Sequence, residues 1–180
     1  GASYDPIQLT VSVDKNANSP QVNRASVYAS ALNVGNFSPG NTYNGLVGFR
    51  VGDGAFQNDA GNAVGVPFVA GSTAFLASMV MGITRCGTDS SCGASPPRSN
   101  NNEVIMSLYD NASLGGGNLI ESITVTGQMQ LWQGQTNAIV IGTSVKRPQL
   151  VAGTTYWLVA TVPNLADALI WGQTTNAPSL

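Results

Sequence analysis

The chain has 180 residues, of which seven are Lys or Arg, nine are Asp or Glu and none is His, leaving 9% charged and a net charge of −2. Ordinary soluble domains carry about 25% charged residues. Cations this sparse cannot build a phosphate-binding surface, which argues against nucleic acid as a partner. Without histidine, Ser-His-Asp and Cys-His catalysis and the commonest zinc and iron ligand sets are all unavailable. A surface solvated by Asn, Gln, Ser, Thr and Gly suits an extracellular β protein and leaves carboxylate-based hydrolysis as the surviving enzymatic option.

In chain order, the sequence opens Gly1-Ala2-Ser3 with no Met, basic region or apolar run, as expected of a mature chain after signal-peptide removal. Ile7, Leu9, Val11 and Val13 then alternate with Gln8, Thr10, Ser12 and Asp14, the period of a strand with one apolar face. A polar linker, Lys15-Asn16-Ala17-Asn18-Ser19-Pro20, comes next. Residues 1–24 form an N-terminal extension on this reading, and residues 25–180 one domain.

Further strands are expected at Ser26–Leu32, Val47–Val51, Ala63–Val69, Phe75–Thr84, Val104–Tyr109, Leu119–Val125, Ala138–Gly142, Tyr156–Val162 and Ala168–Trp171. Turn residues such as Pro39-Gly40, Asn44-Gly45, Gly115-Gly116-Gly117 and Ala152-Gly153 separate them. No long apolar stripe of helical period intervenes. About ten strands predict an all-β, jelly-roll-like β-sandwich. No apolar run reaches the roughly 18 residues of a membrane span; Thr73–Thr84, the best stretch, reads as a buried strand.

Between strands lie the candidate sites. Asp53, Asn58 and Asp59 stand in a Gly-rich loop with calcium-type oxygen ligands, but without EF-hand spacing. Ordinary Asx turns are the favoured explanation, calcium the weaker one, and no cofactor is required. Asp110 and Asn111, before a Gly-rich turn, are a weaker pair of the same kind. Cys86 and Cys92 enclose five turn-forming residues, which suits a disulfide pinning a surface loop in an oxidising compartment. Trp132, in a run rich in Gln, is the aromatic best suited to stack on a sugar, whereas aromatics on strands such as Tyr156, Trp157 and Trp171 read as core. Glu103 and Glu121 are the only glutamates, and nothing in their spacing pairs them for glycoside hydrolysis. Lys15 and Lys146 sit in polar sequence, a poor setting for an isopeptide crosslink. Asn36-Phe37-Ser38 and Asn111-Ala112-Ser113 match the glycosylation sequon, a frequent chance occurrence.

From Val27 to about residue 172 the chain resembles secreted bacterial β-sandwich surface domains of the choice-of-anchor R and PEP-CTERM type. Asn41-Thr42-Tyr43-Asn44-Gly45 before Val47-Gly48-Phe49-Arg50-Val51-Gly52 carries the resemblance. So do Ala63-Val64-Gly65-Val66-Pro67-Phe68, Ser107-Leu108-Tyr109-Asp110-Asn111, Gly117-Asn118-Leu119-Ile120-Glu121-Ser122 and the run from Leu150 to Leu158. It implies a sandwich, with further sequence after Trp171 and often a sorting tail. Against that pattern the N-terminal strand is an addition and a final strand is expected to be missing.

A sandwich short of a strand exposes unpaired backbone, and an alternating segment on a linker can fill it by β-augmentation. Burying four aliphatic side chains roughly offsets the entropy of ordering the segment, so such a strand holds only in a prepared slot. The expectation is a secreted, non-enzymatic subunit whose Ile7, Leu9, Val11 and Val13 enter another copy, head to tail, in a filament or surface layer. The simpler alternative makes Ile7–Val13 the first strand of its own sandwich. The alternative function is a monomeric adhesin or glycan-binding module centred on Trp132.

Overall fold

The computed structural model describes residues 31–35, 43–52, 63–86, 101–110, 117–132, 139–164 and 167–174. Ile7–Val13, the linker after it, the loop of Asp53, Asn58 and Asp59, Cys92, Asn111 and both sequons' central residues lie outside this set. Among the described residues the chain is all-β. Its strands are β1 (Ala31–Gly35), β2 (Tyr43–Gly52), β3 (Val64–Val69), β4 (Ala74–Arg85) and β5 (Glu103–Asp110), followed by β6 (Leu119–Thr126), β7 (Ile139–Thr143), β8 (Gln149–Leu150), β9 (Thr155–Thr161) and β10 (Ala168–Thr174). No helix among them is long and apolar enough to cross a membrane.

Two sheets form. The first contains β1, β2, β4, β7, β8 and β10, and the second runs β3-β9-β5-β6. The β1–β4 pair is parallel, whereas the other strand pairs described are antiparallel. The twelve-residue β4 organises the first sheet. β1 and β7 both pair with its Ser78–Val80 stretch, so they occupy opposite edges of it. Beyond them β10 pairs with Ile83–Arg85 and on its other side with β2.

A register shift in β1–β4 skips Ala77, and its effect on β4 is large. Strand side chains alternate faces, so an even and an odd residue cannot both face the core of a regular strand. The extra residue resets the alternation, as a bulge does. Leu76 before it and Met79, Met81 and Ile83 after it are consequently all fully buried. Asn33 Oδ1 accepts the Ser78 hydroxyl at 2.8 Å beside the shift.

The sheets share one core, to which β4 and β10 contribute Met81 and Trp171 while β5 and β9 contribute Met106, Leu108 and Leu158. At Gly142, on β7, a Cβ would stand 3.1 Å from Met106 Sδ and 3.4 Å from Ile123 Cγ2, so absence of a side chain there lets the sheets approach. β10 is apolar on both faces. Leu169 and Trp171 enter the main core, while Ala168 and Ile170 join Cys86 and half-buried Trp132 in a second cluster.

Candidate functional site

Among the described residues, the acids singled out by the sequence do not converge. Glu103 pairs with Thr126 and Glu121 with Leu108, at opposite ends of the β5–β6 hairpin. Five strand steps separate them, roughly 17 Å at 3.4 Å each, beyond the carboxylate spacing of a glycosidase. Asp110 is occupied locally. Asn118 donates its backbone N–H to Oδ1 at 2.7 Å and its side-chain amide to Oδ2 at 2.9 Å. Those two bonds, side chain first, hold the Asp110 carboxyl below its ordinary pKa against a small opposing effect of burial. Lys146 is exposed and its amine donates to Ile120 O at 3.2 Å.

What the structure does bring together is a lateral seam between β6, at the edge of one sheet, and β7, in the other. Strand pairing does not close it; two side chains do. At one end Glu121, 1% exposed, accepts from Ser144 Oγ at 2.6 Å, Val145 N at 2.8 Å and Lys146 N at 2.9 Å. Burial pushes its carboxyl up most strongly of any single influence. Together the Ser144 hydroxyl, the two backbone N–H groups and the Lys146 charge outweigh that, and its pKa lies below the ordinary value. Ser144 Oγ in turn accepts from Arg147 N at 2.9 Å, fixing the turn in which Arg147 adopts φ 48°.

At the other end the exposed side chain of Gln128 bonds the backbone of Ile141 twice. Ile141 N donates to Gln128 Oε1 at 2.9 Å, and Gln128 Nε2 donates to Ile141 O at 3.2 Å. A primary amide carries the same donor and acceptor as a peptide unit, so this is the exchange that a hydrogen-bonded residue of an antiparallel neighbour would make. Ser144 N donates to Ala77 O, and by alternation Gly142 and Val140 also turn their backbone toward β4. Ile139, Ile141 and Thr143 therefore turn theirs outward. Ile139 and Ile141 are also 51% and 47% exposed.

A second polar concentration lies around the β4–β10 junction. Thr84 Oγ1, Arg85 Nε, Asp167 Oδ1 and Trp171 Nε1 are buried and make no hydrogen bond among the described residues. Asp167 Oδ2 receives a long contact, 3.5 Å, from Asn101 Nδ2. Trp132 is tied here by its backbone, which donates to Arg85 O at 2.9 Å, and by packing on Cys86, Ala168 and Ile170. It is thus half-buried rather than standing free as a stacking platform. Tyr156 and Trp171 are core residues, as their strand positions imply, and Tyr156 stacks on Phe68 at 5.8 Å between centroids. No set of three metal-ligating side chains occurs among the described residues.

Comparison with protein-family models, with curated proteins and with solved structures returns no match. The resemblance of residues 27–172 to secreted surface domains therefore stands on its quoted motifs alone.

Sequence reasoning had no access to Gln128 or to the role of Glu121. For Glu121 a signal existed: it shares parity with Ile123 and Val125, so it is an acid on the apolar side of an alternating strand. Gln128 sits in a polar, aperiodic run, Gln128-Met129-Gln130-Leu131-Trp132-Gln133, that carries no such signal.

Proposed function

We propose that the chain is a secreted, non-enzymatic structural subunit that assembles with other copies of itself into filaments or a surface layer. The strand formed by Ile7, Leu9, Val11 and Val13 is donated to a neighbouring copy. The observation that carries the proposal is the pairing of that alternating, linker-tethered segment with a β-sandwich-like body whose β7 exposes Ile139, Ile141 and outward backbone groups. A chain with 9% charged residues offers little repulsion to close packing of copies. Two acids fit this reading, because Glu121 and Asp110 are spent on backbone and amide donors.

An oxidising, extracytoplasmic location belongs to the same proposal, with Cys86 paired to Cys92. Burial of Cys86 and the lack of any free cysteine among the described residues support it. The resemblance to bacterial surface domains fits this setting.

Deleting Gly1–Ser19 tests the assembly. Size exclusion and electron microscopy should show polymers from the full chain and monomers from the truncated one; polymers from both would refute strand donation. The alternative, a glycan-binding monomer, draws on Trp132, whose ring is only partly covered and neighbours Leu131, 40% exposed. It predicts a full-length monomer whose glycan binding is lost in Trp132→Ala.

A further inference from the structure

We infer that the outward edge of β7 is the acceptor for the donated strand and that Gln128 is its guard. The inference rests on the assembly proposal above and names the surface through which it acts. Three residues of β7, Ile139, Ile141 and Thr143, turn their backbone N–H and C=O away from β4. Gln128 satisfies the middle one with a side chain that reproduces one of the three residue pairs a strand would form. An incoming backbone would make the same two bonds and add those at Ile139 and Thr143, so exchange of guard for strand gains hydrogen bonds. Until then the amide keeps a short apolar edge from pairing indiscriminately, a recognised hazard of exposed edges.

The choice of occupant is set by the surface inward of this edge. A strand beside β7 presents one face to the rim of the shared core, where the half-buried Ile120 and Ile123 of β6 pack. A second copy of β7 would bring only Val140 and Gly142 to that face. Ile7, Leu9, Val11 and Val13 bring four aliphatic side chains at strand spacing, with polar residues on the other face. The edge of the second sheet at β3 is less suited, because Pro67 has no N–H to donate.

Two substitutions in the full chain test this. Gln128→Ala removes the competing bonds and should shorten the lag of assembly, followed by light scattering and electron microscopy, about tenfold, as expected for two modest hydrogen bonds. Ile139→Pro deletes an outward N–H that the β4–β7 ladder does not use. The monomer should keep its circular dichroism spectrum and cooperative melt, yet assembly should be lost. Both effects should vanish when Gly1–Ser19 is also deleted. If the wild type assembles and neither substitution alters it, the acceptor lies elsewhere; this inference falls and the assembly proposal stands. If neither the wild type nor Gln128→Ala assembles, both fall. If Gln128→Ala associates without Gly1–Ser19, the occupant is another segment and the inference is overturned.

Discussion

Protonating Glu121 removes the charge that organises three donors at once: the Ser144 hydroxyl and the N–H groups of Val145 and Lys146. Its folded pKa is depressed, so the stability it contributes is fully present above the pKa of an unfolded glutamate, ~4.3, and is lost as pH falls through the folded value. Thermal melts should therefore fall in temperature below about pH 4. Glu121→Gln should cost about 1–3 kcal/mol at pH 7 and flatten that acid limb; equal acid sensitivity in both proteins would contradict the assignment. Thr84 makes the opposite case. Its Oγ1 is buried without a partner among the described residues, while its neighbour across the pair is Ile170. Replacing the hydroxyl by a methyl removes a desolvated polar group at constant shape. Thr84→Val should be neutral or up to about 1 kcal/mol more stable in urea titrations, and a clear loss would reveal a partner for the hydroxyl.

At the level of elements, short-range alternation located the strands because each has one face on a shared core. β5 shows why: Val104, Met106 and Leu108 are fully buried and alternate with Ile105, Ser107 and Tyr109. β8 was not legible, since two residues, Gln149 and Leu150, have no period. β1 is described at Ala31–Gly35, three residues past the end expected for Ser26–Leu32. Its pairing is set by the register of β4 and by Asn33 at the skipped Ala77, neither of which is encoded locally. The same limit applies to the seam. Gln128 and Ile141 are distant in sequence terms, and only the stacking of two sheets puts one opposite the other. Strand ends carry sharper constraints than strand middles, as Gly52 illustrates. It closes β2 with φ 81°, and a Cβ there would stand 2.4 Å from Asp167 O. Left-handed strain and a backbone clash add, so Gly52→Ala should destabilise by about 3 kcal/mol in denaturant unfolding; a near-neutral variant would mean the β2–β10 junction is loose.

For the molecule as a whole, one core spanning both sheets predicts that damage on either side is felt by all. Leu158→Ala, in the second sheet, should cost about 2–5 kcal/mol and lower the unfolding midpoint of both sheets together. Val145→Ala, at a site 86% exposed, should change stability by less than about 0.5 kcal/mol. Separate transitions for Leu158→Ala, seen by probes in each sheet, would refute a common core. The connectivity has a temporal side too. β10, the last described strand along the chain, lies between β4 and β2, and β2 has no other strand partner among the described residues. A polypeptide emerging from the N-terminal end thus exposes β2 early, and the strand partner described for it arrives only after β3 to β9 are synthesised. Pairing of β2 within the first sheet waits on the arrival of Ala168–Thr174, so this side of the nascent sheet stays threadable until β10 is made.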